Sequence, residues 1–536
     1  MSVTVHTALY DAMESSILQV ECSYTRGFSG LQLIGSNTDV CKGGLERARA
    51  VLEDLGVAVP QKRIVLNISP AHTRKDGSHF DLPFAAGLAA LITGRTPGID
   101  LGKWIFAAEL GLDGRLRPVK GVISFALAAV SSQFTGVVVA EENLEEISVL
   151  NQLKVVNTKD LSALAFRHFK DVVEWIFSGE EKGALFSSTH TRPQEAKSSG
   201  EPNFCEPNFD DMILSPSTQS VALVAATGLH SILLHGAPGT GKSMFSARLT
   251  SIMPPMSRED HLESLKIHSS VLQKMPESLL GGRPPFRSPH HQSSASAIMG
   301  IPEQPGEISL AHGGILFLDE FPEFRRDIIE ALREPLETGY VRVSRAKKKV
   351  VWNSKITLVA ACNACPCGWL GSSLRRCTCP TSRILAYRRK LSGPILDRID
   401  LHVNMLDQSL GKAEIFLQLQ EKSTESLTQK LTEKVIHARH FGAKRNEKLG
   451  VLYNRDLKAD HMIIASGLDT RQFKTLVDSC TPKYATRRSL IRSLRVARTL
   501  ADLSNKDEID RGHLLQAWSW LPSSATEDGI SSSYGT

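Results

Sequence analysis

Residues 231–253 read SILLHGAPGTGKSMFSARLTSIM. Ser231 to His235 is a short apolar run with the pattern of a buried strand, GAPGTGKS follows at once, and MFSARLTSIM has helical composition. Strand, glycine-rich loop and helix form the arrangement in which backbone N–H groups converge on phosphate oxygens. Gly236, Gly239 and Gly241 permit that close approach, with Ala237, Pro238 and Thr240 completing the loop. The following helix N-terminus adds the positive end of its dipole, Lys242 reaches the β and γ phosphates, and Ser243 offers a hydroxyl to Mg²⁺. The segment predicts an α/β domain that binds ATP with Mg²⁺.

Working outward, ILFLDE (315–320) is a second apolar strand ending in two carboxylates. Asp319 is placed to hold the Mg²⁺ shell and Glu320 to polarise the attacking water, so hydrolysis is expected as well as binding. The 77 positions from Lys242 to Asp319 leave room for more than one extra strand and helix, which predicts an insertion there. A third strand, KITLVAAC (355–362), ends at Asn363, where an amide can hydrogen-bond the lytic water or the γ-phosphate. Arg398, in LSGPILDRIDLH, has the character of a finger supplied by a neighbouring subunit; a salt bridge to Asp397 or Asp400 is the alternative. Arg488, in YATRRSLIRSLRVARTLADL, could reach down from a helical lid towards the γ-phosphate.

The rest of the 536-residue chain bounds the problem. With 41% hydrophobic and 6% aromatic residues it can bury several cores, which excludes wholesale disorder, and no apolar run approaches the ~18 residues of a membrane span. The N-terminus lacks a basic region followed by an apolar stretch, so a cytoplasmic location is expected. Residues 1–178 alternate strand-like runs (Ser16–Val20, Leu31–Ile34, Ile64–Ile68, Trp104–Ala107, Gly136–Ala140) with helical stretches (Leu45–Leu55, Pro83–Ile92), a second α/β pattern. Residues 179–208 are polar and rich in Ser, Pro and Gly, and read as a linker; 209–405 form the nucleotide domain. Helical patterns fill 406–522, where Leu490, Leu494, Ala497 and Ala501 share one helix face, and 523–536 read as a frayed tail.

Several longer strings now stand together: GRPPFRSPHH (282–291), PGEISLAHGGILFLDEFPEFRRDIIEALREPLETG (305–339), ITLVAACNACPCG (356–368), LSGPILDRIDLHV and RSLRVARTLADL. With the N-terminal GLERARAVLEDLGVAVPQKRIVLNISPAHTRKDGSHFDLPFA, they resemble the YifB/ComM family of magnesium-chelatase-like AAA+ ATPases over nearly the whole chain. The resemblance implies an AAA+ core with Asn363 as sensor 1, Arg398 as arginine finger in trans and Arg488 as sensor 2. It also implies a homo-oligomeric ring, a hexamer, because the finger comes from a neighbour. ComM-type members are similar to DNA helicases that drive branch migration during DNA uptake and recombination, so single-stranded or branched DNA is the expected partner.

The residues carry their own hint of DNA. Between YVRVSR and VVWNSK lies a hairpin tip with Arg345, Lys347, Lys348 and Lys349, in the position of the hairpin that translocating rings point at their pore; a solvated basic turn is the alternative. The net charge of +6 conceals this: residues 342–390 carry twelve Lys or Arg and no Asp or Glu, leaving the other 487 residues at −6. Two other classes share the nucleotide motifs, the ATPase subunit of a metal chelatase and a MoxR-like remodelling ATPase.

The N-terminal domain resembles the ribosomal-S5-like α+β fold shared with the Lon protease catalytic domain, without the peptidase dyad. KDGSHFDL (75–82) has His79 where the nucleophilic Ser would stand and Ser78 one position early; PVKGVIS (118–124) has Ile123 in place of the Lys, and Lys120 three residues off. Nine cysteines in the chain include two C-x-C pairs, Cys365/Cys367 and Cys377/Cys379, whose four thiolates on one loop can satisfy tetrahedral Zn²⁺ or remain reduced thiols. Cys362, inside the strand, reads as core. His290 and His291 have no carboxylate or Cys at ligand spacing beside them, and are expected on an inserted loop near the pore.

Overall fold

The computed structural model describes residues 2–11, 13–36, 38–71, 75, 77–153, 161–181, 185–186, 207–271, 274–345, 348–370, 375–405, 426–483 and 485–521. Most of the 179–208 span, the 523–536 tail and Lys347 therefore lie outside the described residues. The chain divides into two compact units: residues 1–201, 258–280 and 302–304 form one, and 202–257, 281–301 and 305–536 the other. Part of the segment between Lys242 and Asp319 thus belongs, by its contacts, with the N-terminal unit. Its helices are Arg258–Ser269 and Glu277–Leu280.

The first unit is built on an eight-stranded mixed sheet, in the spatial order Leu185–Phe186, Ser162–Phe166, Gly136–Ala140, Trp104–Ala107, Ser2–Asp11, Glu14–Thr25, Arg63–Ser69, Gly30–Ile34. Ser2–Asp11 and Glu14–Thr25 form the long central hairpin, in register from Ser2 opposite Ser23 to Asp11 opposite Glu14. The helical stretch expected at Pro83–Ile92 is the helix Asp81–Thr93, buried from Asp81 to Leu91. A helix hydrophobic on all sides is stable only when covered on all sides. It approaches the sheet so closely that a Cβ on Gly87 would lie 2.7 Å from Cys22 Sγ.

The second unit contains a five-stranded parallel sheet, ordered Phe286–Arg287, Ile315–Leu318, Thr357–Cys362, Ile232–His235, Leu401–Asn404. Numbered along the chain, that order is 2-3-4-1-5, so the strand ending at Cys362 lies between the P-loop strand and the strand preceding Asp319. Both faces of the sheet are covered, as parallel strands require. Ile232, Leu234, Ile315, Phe317, Val359, Ala361, Leu401 and Val403 point into one core, shared with the helices Pro216–Gly228, Leu427–Lys448 and Arg487–Leu503. Leu233, Leu316, Leu318, Leu358 and Ala360 alternate to the other, against Ile328, Ile329, Ile395 and Ile399.

Arg487–Leu503 buries Leu494, Ala497 and Ala501 as its periodicity predicts, leaves Leu490 half-buried, and also buries Arg492, Arg498 and Asp502. These charges are paired: Arg498 and Arg445 both bind Asp502. Nearby, His230 bridges Asp400 at 3.0 Å and Thr499 at 2.9 Å. Buried charges persist only with such partners.

Candidate functional site

Parallel strands that end at one edge of a sheet deliver their following residues to a common crevice. Here the P-loop, Asp319–Glu320 and Asn363 follow three adjacent strands. Lys242 Nζ lies 2.8 Å from the carbonyls of Gly236 and Ala237 and 3.3 Å from Asn363 Oδ1. Ser243 Oγ donates to Asp319 Oδ2 at 2.7 Å. Glycine is required at 236, where a Cβ would come within 2.7 Å of Met405 O, and suits Gly241 at φ +81°.

Glu320 adopts φ +51°, in the left-handed region that non-glycine residues rarely enter. Its backbone N–H donates to Asp319 Oδ1 at 2.9 Å, and its Oε2 is 3.1 Å from His291 Nδ1. A cavity of about 440 Å³ is lined by Ser243, Asp319, Glu320, His290, His291 and Phe286, among others. That volume lies in the few-hundred to ~1,000 Å³ range of small-molecule sites. His290 and His291, expected on an inserted loop near the pore, form a wall of the same cavity as the acidic pair. The signal for it was that SPHH directly follows FR, the strand paired with Ile315–Leu318.

The donors fit a nucleotide triphosphate with Mg²⁺. Lys242, now against loop carbonyls, is a cation with phosphate reach. Ser243 and Asp319, already in contact, are the hydroxyl and carboxylate such a metal takes.

Behind the crevice, His235 Nδ1 and Cys362 Sγ are 3.0 Å apart, across the strand pair in which they are register partners. Burial lowers the His235 pKa to about 4 and raises the Cys362 thiol to about 12, so both are neutral and the thiol can donate to the imidazole. Cys362 is buried, as expected, but it also joins the strand ends that carry the P-loop and Asn363.

Arg398 and Arg488 are brought together by one residue that the sequence reading did not single out. Arg398 Nη2 binds Glu337 Oε2, and Arg488 Nη2 is 3.3 Å from Glu337 Oε1. The two alternatives weighed for Arg398, Asp397 and Asp400, instead engage Arg492 and His230.

The hairpin pairs Tyr340–Arg345 with Lys348–Asn353, from Tyr340 opposite Asn353 to Arg345 opposite Lys348. Val341 and Trp352 are buried at its base, whereas Arg345 and Lys349 are exposed at its end.

The four cysteine sulfurs lie within 4.8 Å of one another, with Cys365–Cys367 at 3.3 Å and Cys377 at 3.6 Å from each. Zinc–sulfur bonds of about 2.3 Å at tetrahedral angles place sulfurs about 3.8 Å apart, close to this cluster. The Trp369 N–H lowers the Cys367 thiol to about 6, while Cys377, in contact with the other thiols, is raised to about 12. The loop touches the nucleotide site: a Cβ on Gly368 would meet Pro238 Cδ at 2.7 Å.

In the other unit, His79 and Ile123 are buried and Lys120 is exposed. Burial keeps His79 neutral, with a pKa near 4.

Comparison with known proteins agrees with this geometry. Residues 208–413 match the family described as magnesium chelatase, subunit ChlI; residues 20–143 match subunit ChlI of Mg-chelatase, and 425–520 its C-terminal region. The uncharacterized protein YifB of Salmonella typhimurium is 35% identical over 520 residues, covering 96% of each chain. This chain belongs to the YifB/ComM family of magnesium-chelatase-like AAA+ ATPases. Competence protein ComM of Haemophilus influenzae is 33% identical over 509 residues, covering 94% of each chain. Lon protease of Halothermothrix orenii is 28% identical over 182 residues, 32% of this chain and 22% of that one. Among the described residues no helix is long and apolar enough to cross a membrane.

Proposed function

We propose that this YifB/ComM-family ATPase is a ring motor that hydrolyses ATP to move on single-stranded or branched DNA, in the manner of a branch-migration helicase. The observation that carries the reading is the basic hairpin: Arg345 and Lys349 are exposed at its end, in a 49-residue stretch without an acidic residue. Phosphate tracking needs cations with little base specificity, and this hairpin supplies them. The competence protein among the relatives supports the same direction.

The arrangement of the nucleotide site supports a division of roles for hydrolysis. Lys242 binds the β and γ phosphates, Ser243 and Asp319 hold Mg²⁺, Glu320 takes up the proton of the attacking water, and Asn363 orients that water or the γ-phosphate. Bound Mg²⁺ neutralises developing phosphate charge. Arg398 and Arg488 supply the remaining positive charge, Arg398 from a neighbouring subunit of a hexameric ring. Cys365, Cys367, Cys377 and Cys379 hold a structural Zn²⁺ that braces the loop against Pro238. Burial of His79 and Ile123 supports a non-peptidase role for the N-terminal domain.

The test is ATPase activity with and without single-stranded, duplex and forked DNA, together with a strand-displacement and branch-migration assay. Stimulation by single-stranded or forked DNA is expected. A flat response to every DNA structure, with basal hydrolysis intact, removes the DNA-motor reading in favour of a chelatase-type or MoxR-like ATPase.

A further inference from the structure

Arg398 and Arg488 lie 90 positions apart in the chain, on a short helix-and-turn segment and on a long helix. Two guanidiniums so close repel one another unless an anion lies between them. The anion here is Glu337, which accepts from Arg398 on Oε2 and from Arg488 on Oε1. The Arg398 guanidinium, with Arg488 beside it, holds the Glu337 carboxyl below the usual carboxylate range. Arg398 is further fixed by donation from Nη1 to Pro394 O at 2.7 Å, and its side chain is 15% exposed. Arg488, at 48%, is the more open of the two.

Glu337 occupies the last turn of the helix Arg333–Thr338, which runs through Gly339 at φ +74° directly into the basic hairpin. The same helix holds the hairpin's Arg342, whose Nη1 donates to Glu334 Oε1 at 2.5 Å. One helix therefore anchors the hairpin with one carboxylate and the arginine pair with the other.

We infer that Glu337 is a positioning residue for ATP hydrolysis: its carboxylate holds Arg398 and Arg488 side by side as a single two-pronged clamp for phosphate oxygens. This rests on the reading of those arginines as phosphate-facing groups, and because one carboxylate holds both, it sends Arg488 to the same neighbouring-subunit nucleotide as Arg398. Glu337 itself touches no reacting atom; it sets the spacing of the two guanidiniums before a phosphate meets them. Preorganised guanidiniums are effective because they need not be gathered at the moment of reaction.

Steady-state hydrolysis by the full chain tests this. Glu337→Ala is expected to lower kcat by about a hundredfold, the scale of a misplaced catalytic group, while the KM for ATP stays within about threefold of wild type. The double variant E337A/R398A is expected to be no slower than R398A, since both changes remove the same clamp. Unchanged kcat in E337A, or losses that multiply in the double variant, overturns the inference.

Subunit mixing separates positioning from general damage. K242A subunits keep an intact clamp but lack a working P-loop, so mixed with E337A subunits they are expected to restore activity. R398A subunits are not expected to restore it. Restoration of E337A by R398A would place Glu337 on the P-loop side and overturn the inference. Failure of the R398A and K242A control pair to restore each other instead removes the neighbouring-subunit reading of Arg398, and leaves Glu337 to be judged by the double variant.

Discussion

His291 Nδ1 lies 3.1 Å from Glu320 Oε2, so the proposed water-polarising carboxylate is held by an imidazole from the adjacent strand end. Glu320 otherwise has a half-exposed side chain on a left-handed backbone. Without the imidazole that carboxylate is free to turn into solvent. His291→Ala is expected to reduce kcat by about tenfold, less than full loss of a general base, with unchanged ATP affinity. Single-turnover hydrolysis beside equilibrium nucleotide binding checks it; unchanged kcat would show that the contact does not orient Glu320.

The P-loop and the acidic pair should separate binding from chemistry. Lys242→Ala is expected to abolish ATP binding, because the ammonium is the phosphate-facing charge of the loop. Glu320→Gln is expected to retain binding and slow hydrolysis by about 10²- to 10⁴-fold. Fluorescent-nucleotide titration and phosphate release distinguish the two, and equal loss of binding in both would contradict the division of roles.

Charge reversal of the hairpin should act on DNA alone. Arg345, Lys348 and Lys349 changed together to Glu are expected to abolish DNA stimulation while basal hydrolysis persists, since Arg345 and Lys349 are exposed and Lys348 is half-buried at the hairpin end. Each phosphate contact removed should reduce the salt slope of DNA binding by about one. Stimulation that survives all three changes would move the contact elsewhere.

The cysteine loop should carry zinc. Elemental analysis of the purified chain is expected to find one zinc per chain, and Cys377→Ser to release it. Because Gly368 packs on Pro238, zinc loss is also expected to weaken ATP binding. Zinc-free protein with all four thiols reactive would show reduced cysteines only.

Glu146 makes the stability of the N-terminal unit depend on pH. Burial raises its pKa from 4.5 to about 7, against the opposing effect of Ser269 and of Asn143, which donates to Oε1 at 3.5 Å. A carboxyl raised by folding binds its proton more tightly in the native state. Its contribution is therefore complete below pH 4.5 and is lost as pH rises through about 7. Glu146→Gln is expected to stabilise the protein by about 2 kcal/mol at pH 8 and to remove that slope. Denaturant melts at pH 5 and pH 8 measure it, and equal effects at both would contradict the account.

The nucleotide motifs were legible in the sequence because each depends on neighbours in the chain. A P-loop needs strand, glycines, lysine and helix in immediate succession, and an acidic pair needs only the end of an apolar strand. The same locality made the helix at Asp81–Thr93, the buried helix face at Leu494, Ala497 and Ala501, and the four-cysteine loop readable, as 3.6-residue periodicity and ligand spacing are short-range signals. The sequence alone thus determined which residues could meet a phosphate, a magnesium ion or zinc, and where a basic stretch interrupts an otherwise acidic chain.

Tertiary structure alone decided the pairings. His291 meets Glu320 because Phe286–Arg287 adds to the edge of the sheet beside Ile315–Leu318; Arg398, Arg488 and Glu337 meet although as many as 151 positions separate them. Residues 258–280, inside the nucleotide domain by sequence, joined the N-terminal unit by contact. Such partnerships follow from the order in which strands assemble and from the need of buried charge for a counter-charge, and neither leaves a periodic trace along the chain.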